Sequence, residues 1–162
     1  MKILVINPGA TSTKIAVFEE EQQLFKLGID HSAEELNRFE RVIDQADYRK
    51  NAILSAVTEA GYQLSDFDAV CGRGGLYRPI PSGTYAVNDQ VMHDVETAPY
   101  GEHPSNLGAY LAKKLGDMVG SSPLNFRERK IVMKLYIYLW MPNFPKMYMS
   151  NIRMHTKPEM PH

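Results

Sequence analysis

An α/β fold, with an antiparallel β-meander followed by helices, is the class this sequence predicts, and three observations carry it. Three short β-rich runs, over residues 2–6, 14–18 and 24–29, are joined by connections too short for a crossover. Between residues 43 and 60 apolar side chains recur at helical spacing. A further β-rich run over 67–71 follows, so helix and strand patterns alternate along the chain.

The elements follow in order. Ile3 to Ile6 form the first apolar run, and Asn7, Pro8 and Gly9 end it with turn chemistry. Ile15, Val17 and Phe18 belong to the second run, and an acidic turn over 19–23 leads to the third. Ser32 and Glu35 have the spacing of a capping box, which marks a helical start. Ile43, Ala46, Ile53, Leu54 and Val57 predict one apolar helix face over about 43–60, with Gly61 as its stop. Residues 85–87 read as a short strand. Asn88 is placed to cap a helix over 89–97, and Ser105 another running to about residue 115.

Composition bounds what such a domain does. The chain has 162 residues, 44% of them apolar, which suits one ordinary domain with an appendage. Its formal charge of −1 excludes an overall electrostatic footprint for nucleic acid. Cys71 is the only cysteine, so the chain has no internal disulfide and no cysteine-based zinc site, in keeping with a cytoplasmic setting. The opening apolar run is too short for a secretory signal. The apolar stretch over 131–141 falls below the roughly 20 residues that span a bilayer, and Lys134 interrupts it. No membrane partner is expected.

The chain changes character near residues 116–120. Residues 1–117 carry 17 acidic and 11 basic side chains, whereas residues 118–162 carry 2 acidic and 7 basic ones. Seven of the nine methionines, the only tryptophan and five prolines fall in the second part, with no sustained apolar period. The expectation is therefore a domain over 1–117 and an unrelated, disordered tail over 118–162.

The loop Asn7-Pro8-Gly9-Ala10-Thr11-Ser12-Thr13-Lys14 invites comparison with a P-loop, but it lacks the glycine before the lysine and the helix after it. Two readings stand. One is a phosphate cradle, in which a tight turn exposes backbone N–H groups beside hydroxyls, the Asn7 amide and the compact charge of Lys14. The other is a solvated hairpin turn made of ordinary turn residues. Arg73, set between Gly72 and Gly74, poses a similar choice. Bare backbone lets a small ligand approach its planar donor fork, which matches a carboxylate or a phosphate, but a solvated arginine in a glycine turn has the same sequence.

The strand–loop–strand opening, "HSAEEL", "IDQADYRKNAIL", "CGRGGLYRPIPSGTY" and "YGEHPSNLGA" together resemble the butyrate kinases, in that order, over about residues 1–115. These enzymes belong to the acetate kinase group of actin-like, ribonuclease H-like phosphotransferases. The "NPG" and "GRGG" segments favour butyrate or a branched-chain relative over acetate, whose enzymes have serine where Ala10 stands. The resemblance implies ATP and a short carboxylate, butanoate, as substrates, Mg²⁺ in the complete enzyme, and a family-type homo-oligomer. It makes Arg73 the catalytic and substrate-binding arginine that meets the carboxylate and the transferred phosphoryl group. His103 corresponds to the family's active-site histidine, although a helix-entry role suits it nearly as well. Asn7, Ser12 and Lys14 border the phosphate path, and no metal-ligating residue is assigned.

The resembled kinases are two-domain enzymes with the active site in the cleft between. Their later phosphate loop, metal-associated carboxylates, second catalytic arginine and adenosine pocket have no counterpart in residues 118–162. The expectation is a partial enzyme, inactive alone, whose tail has the character of a shifted reading frame. The alternatives are a non-catalytic, anion- or nucleotide-binding half-domain and a kinase of a related short or branched-chain carboxylate.

Overall fold

The computed structural model describes residues 1–81, 83–120 and 130–135. Strands β1 (Lys2–Pro8), β2 (Ser12–Glu19) and β3 (Gln22–Asp30) form the expected antiparallel meander. Helices α1 (Ala33–Leu36) and α2 (Ala46–Glu59) lead to β4 (Ala69–Arg73), which pairs parallel with β1. Then come β5 (Gly83–Ala86), α3 (Asp89–Thr97), α4 (Leu107–Gly120) and β6 (Lys130–Leu135). The sheet order is β3-β2-β1-β4-β6-β5.

Parallel strands need long crossovers, and the β1–β4 and β4–β6 pairs have them. The chain between β1 and β4 includes α2, and that between β4 and β6 includes α4. Strands β1 and β4 read as near-continuous apolar runs because residues of both sheet faces are buried there. Leu4, Ile6, Ile15, Val17 and Val70 belong to the main core with Ile53 and Val57 of α2 and Leu107, Leu111 and Leu115 of α4. Ile3, Val5, Phe18, Ala69 and Cys71 form a second, smaller cluster. Cys71 is fully buried, as its strand position predicts.

Local signals place most boundaries. Ser32 caps α1 by accepting from the Glu35 N–H at 3.1 Å. Asn88 caps α3 by accepting from Val91 N–H at 3.1 Å. Gly61, at φ +81°, takes the left-handed conformation just past α2 that only glycine adopts freely. Tyr77 is core: its hydroxyl donates to the Asn106 carbonyl at 2.7 Å.

Three expectations differ from the structure. Strand β4 starts at Ala69, because residues 64–66 form a 3₁₀ turn that Phe67 closes. Ser105 does not cap the last helix: His103 caps the 3₁₀ turn Pro104–Asn106 that feeds α4, and Ser105 is buried inside that turn. The sheet also takes in β6, drawn from the part of the chain expected to lie outside the fold. The rest of that tail, residues 121–129 and 136–162, lies outside the described residues.

Candidate active site

The structure brings Asn7, Ser12, Lys14 and Arg73 to one end of three adjacent strands. Asn7 lies opposite Lys14 in the β1–β2 register, so both side chains project from the same face. Ser12 precedes Lys14 by two and shares that face. On the other side, Ile6 pairs with Gly72, which puts Arg73 beside Asn7. Arg73 Nη1 donates to Asn7 Oδ1 at 3.3 Å, and the guanidinium is exposed. Two motifs 66 residues apart thus meet in one hydrogen bond.

Arg73 sits where it does because backbone meets backbone behind it. A Cβ on Gly72 would fall within the Gly108 carbonyl, and one on Gly108 would fall on the Arg73 carbonyl. The first turn of α4 can therefore seat itself against the end of β4 only with glycine at both positions. Asn106 locks the same corner: its Oδ1 accepts from Leu76 N–H at 2.7 Å and its Nδ2 donates to the Gly101 carbonyl at 2.9 Å.

His103 is exposed and bonded locally. Its Nδ1 accepts from Ser105 N–H at 3.2 Å and lies 2.6 Å from the Ser105 hydroxyl. Among the described residues no hydrogen bond joins it to Asn7, Lys14 or Arg73. The geometry is that of the helix-entry residue, with Nε2 left over for another partner.

Beneath the loop lies a network that the motif reading did not assign. Arg49 of α2 is fully buried, and its guanidinium donates to the Ala10 carbonyl (3.1 Å), the Ser12 carbonyl (3.2 Å) and Thr13 Oγ1 (3.0 Å). Gln45, one turn earlier, accepts from its Nε and Nη2. Thr13 Oγ1 is 2.8 Å from His31 Nε2, His31 Nδ1 is 3.3 Å from the Tyr48 hydroxyl, and that hydroxyl donates to Glu35 at 2.9 Å. Tyr48 gives its one proton to Glu35, so His31 Nδ1–H donates to Tyr48; with a neutral imidazole, Nε2 then accepts from Thr13, whose oxygen accepts from Arg49. A neutral His31 with its proton on Nδ1 fits every bond of this chain. Burial lowers the pKa of His31, the Arg49 charge lowers it further, and Glu35 and Asp30 oppose them. The sequence did carry a signal for Arg49. It falls in the apolar stripe Ala46, Ile53, Ala56, Val57, where an ordinary surface arginine has no place.

Amide, hydroxyl, ammonium and guanidinium groups make a donor-rich, positively charged corner suited to an anion. They do not suit Mg²⁺, which binds through carboxylate and other oxygen ligands. Among the described residues no group of three acidic, histidine or cysteine side chains is placed to hold a metal.

No protein-family model matches the chain. It is 51% identical over 114 residues to a protein named "Probable butyrate kinase" from Oceanobacillus iheyensis, covering 70% of this chain and 32% of that protein. Against butyrate kinase 1 of Clostridium acetobutylicum it is 46% identical over 114 residues, with the same coverage. The chain thus spans about a third of the length of the relatives it matches. Among solved structures, the acetate kinase of Porphyromonas gingivalis overlaps it with a TM-score of 0.44 at 18% identity, covering 83% of this chain and 37% of that one. A propionate kinase from Francisella tularensis gives 0.43 at 15%, with 83% and 36% covered. Overlaps this partial carry no weight for the fold, which stands on the sheet order. Over some 70% of its length, this chain is a relative of the butyrate kinases, matched to the N-terminal portion of their length.

Proposed function

We propose that this chain supplies the carboxylate- and phosphoryl-facing side of a butyrate-kinase-type active site, in which a phosphoryl group passes reversibly between ATP and butanoate to give butanoyl phosphate and ADP. The observation that carries it is the Arg73–Asn7 hydrogen bond with Lys14 in register beside it, which joins the two candidate motifs into one anion-facing corner. Phosphoryl transfer depends mainly on positioning and on charge stabilisation, and these groups offer both. The Arg73 fork matches a carboxylate, whose attacking oxygen it would aim at the phosphorus. Lys14 and the loop N–H groups would balance the charge spreading over the equatorial oxygens. His103, through its remaining Nε2, would reach the same substrate from the turn before α4. Mg²⁺ would arrive with the nucleotide and take its ligands from elsewhere, and no step here runs through it. The setting would be the cytoplasm.

The test joins this chain's first 115 residues to the complementary two thirds of a butyrate kinase relative and traps acyl phosphate as a hydroxamate. Butanoate- and ATP-dependent product, lost in the Arg73→Ala form, supports the reading. A joined protein that folds, works and ignores Arg73→Ala refutes it. Phosphate binding by the chain with no acyl phosphate from the joined protein would favour a non-catalytic anion-binding domain. Preference for a branched acid over butanoate would move the assignment to a related carboxylate.

A further inference from the structure

We infer that Arg49 is a positioning residue: from inside the fold it turns the carbonyls of Ala10 and Ser12 inward, so that the N–H groups of the loop tip face an incoming phosphate. The inference rests on the phosphate-facing reading of the loop and names the residue that makes the loop competent for it.

The loop's own geometry calls for such a brace. Pro8 pairs with Thr13, and Gly9 N–H donates to the Ser12 carbonyl at 2.7 Å, which leaves Ala10 and Thr11 as a two-residue tip. Two-residue hairpins favour turns with positive φ because their twist matches that of the strands. Ala10 and Thr11 both have negative φ, since the only non-glycine residues with positive φ among those described are Glu20 and Ala98. Local preference therefore does not hold this turn, and something else must.

Three consecutive carbonyls show what does. The Ala10 carbonyl accepts from Arg49 Nη2, the Thr11 carbonyl from His31 N–H at 2.8 Å, and the Ser12 carbonyl from both Gly9 N–H and Arg49 Nη1. Of these four donors, three come from Arg49 and His31 outside the loop, and the fourth, Gly9 N–H, closes the loop on itself. Among the described residues the N–H groups of Ala10 and Thr11 donate to nothing, and both residues are exposed. Carbonyls turned in and N–H groups turned out make the concavity that binds anions. The buried guanidinium adds a positive charge under that concavity, and its partners in the loop and on α2 are neutral oxygens, so the charge is not cancelled by a carboxylate at contact. Lysine in its place has a single nitrogen, which cannot reach Ala10, Ser12, Thr13 and Gln45 together.

The experiment follows the amide signals of Ala10 and Thr11 in the full chain during titration with inorganic phosphate, for the parent, Arg49→Lys and Gln45→Met. The parent signals should shift and saturate. Arg49→Lys should weaken that affinity at least tenfold while the amides of β1 and β2 keep their exchange protection. Gln45→Met leaves the loop intact but frees the guanidinium's other side, and should weaken affinity about threefold. It keeps the inference testable if Arg49→Lys fails to fold. A folded variant that titrates like the parent overturns the role of Arg49 alone. A parent whose loop signals ignore phosphate overturns the phosphate reading, and the inference falls with it.

Discussion

His31 shows at the scale of one residue how the loop depends on protonation. A proton on Nε2 would make the imidazole a second donor to Thr13 Oγ1, which already accepts from Arg49, and would set two cations side by side. Burial first, and Arg49 second, hold its folded pKa below the ordinary value. The unfolded imidazole titrates at about 6.5. Between that value and the lowered folded one, the unfolded chain binds a proton that the folded chain refuses. Stability therefore rises with pH across this window and falls as the solution is acidified through it. The melting temperature should drop on going from pH about 7 to about 5, and His31→Asn should flatten that slope. Equal slopes in parent and variant would mean that His31 does not titrate there. Gly108 makes a second residue-scale case. A methyl at this position meets the Arg73 carbonyl, which is backbone and cannot swing aside. Gly108→Ala should cost about 1–3 kcal/mol or more by overpacking, read by denaturant unfolding. It should also displace Arg73, whereas the same change at Gly28, which has open space around it, should leave the fold's contacts untouched.

At the scale of elements, capping carries much of the local order. Asn88 satisfies the Val91 N–H at the start of α3. Asn88→Ala should cost about 1 kcal/mol, measurable as a shift in the urea midpoint, and an unchanged midpoint would show that packing of Val91 and Val95 holds α3 unaided. This level was the most legible in the sequence, because caps and periodicity are local. The spacing of Asn88 to Thr97, the stop at Gly61 and the three-strand meander all follow from neighbouring residues, and the structure has them. Phe67 and Ser105 misled for a related reason. A β-prone aromatic and a cap-prone hydroxyl point one way locally, but Phe67 closes one 3₁₀ turn and Ser105 lies inside another. The site divides along the same line. Asn7, Lys14 and Arg73 stood out because glycine and turn residues surround them. Arg49, His31 and Tyr48 did not, since their importance comes from what lies across the fold, 18 to 39 residues away in the case of Thr13 and Ala10.

At the scale of the whole molecule, the sheet has an internal dependency that composition concealed. Strand β6 comes from the segment rich in methionine and basic residues, yet it lies between β4, with which it runs parallel, and β5, with which it runs antiparallel. Strand β5 pairs with β6 alone in the sheet order, so its backbone hydrogen bonds depend on β6. The other strands do not share that dependence: β1, β2 and β3 pair among themselves, and β4 keeps β1 on its far side. A proline in β6 removes a ladder donor in the middle of a sheet and clashes with the neighbouring strand. Val132 faces Cys71 on one side and Ala86 on the other, which makes it the position to test. Val132→Pro should release β5 selectively: amide exchange at Thr84 and Tyr85 should accelerate at least a hundredfold, while Leu4, Ile6 and Ile15 keep their protection. If Thr84 and Tyr85 stay protected, β5 is held by the burial of those two side chains and the sheet effectively ends at β4. If Leu4 and Ile15 lose protection as well, β6 is an integral strand of one cooperative unit, and the compositional break near residue 118 does not mark the edge of the fold.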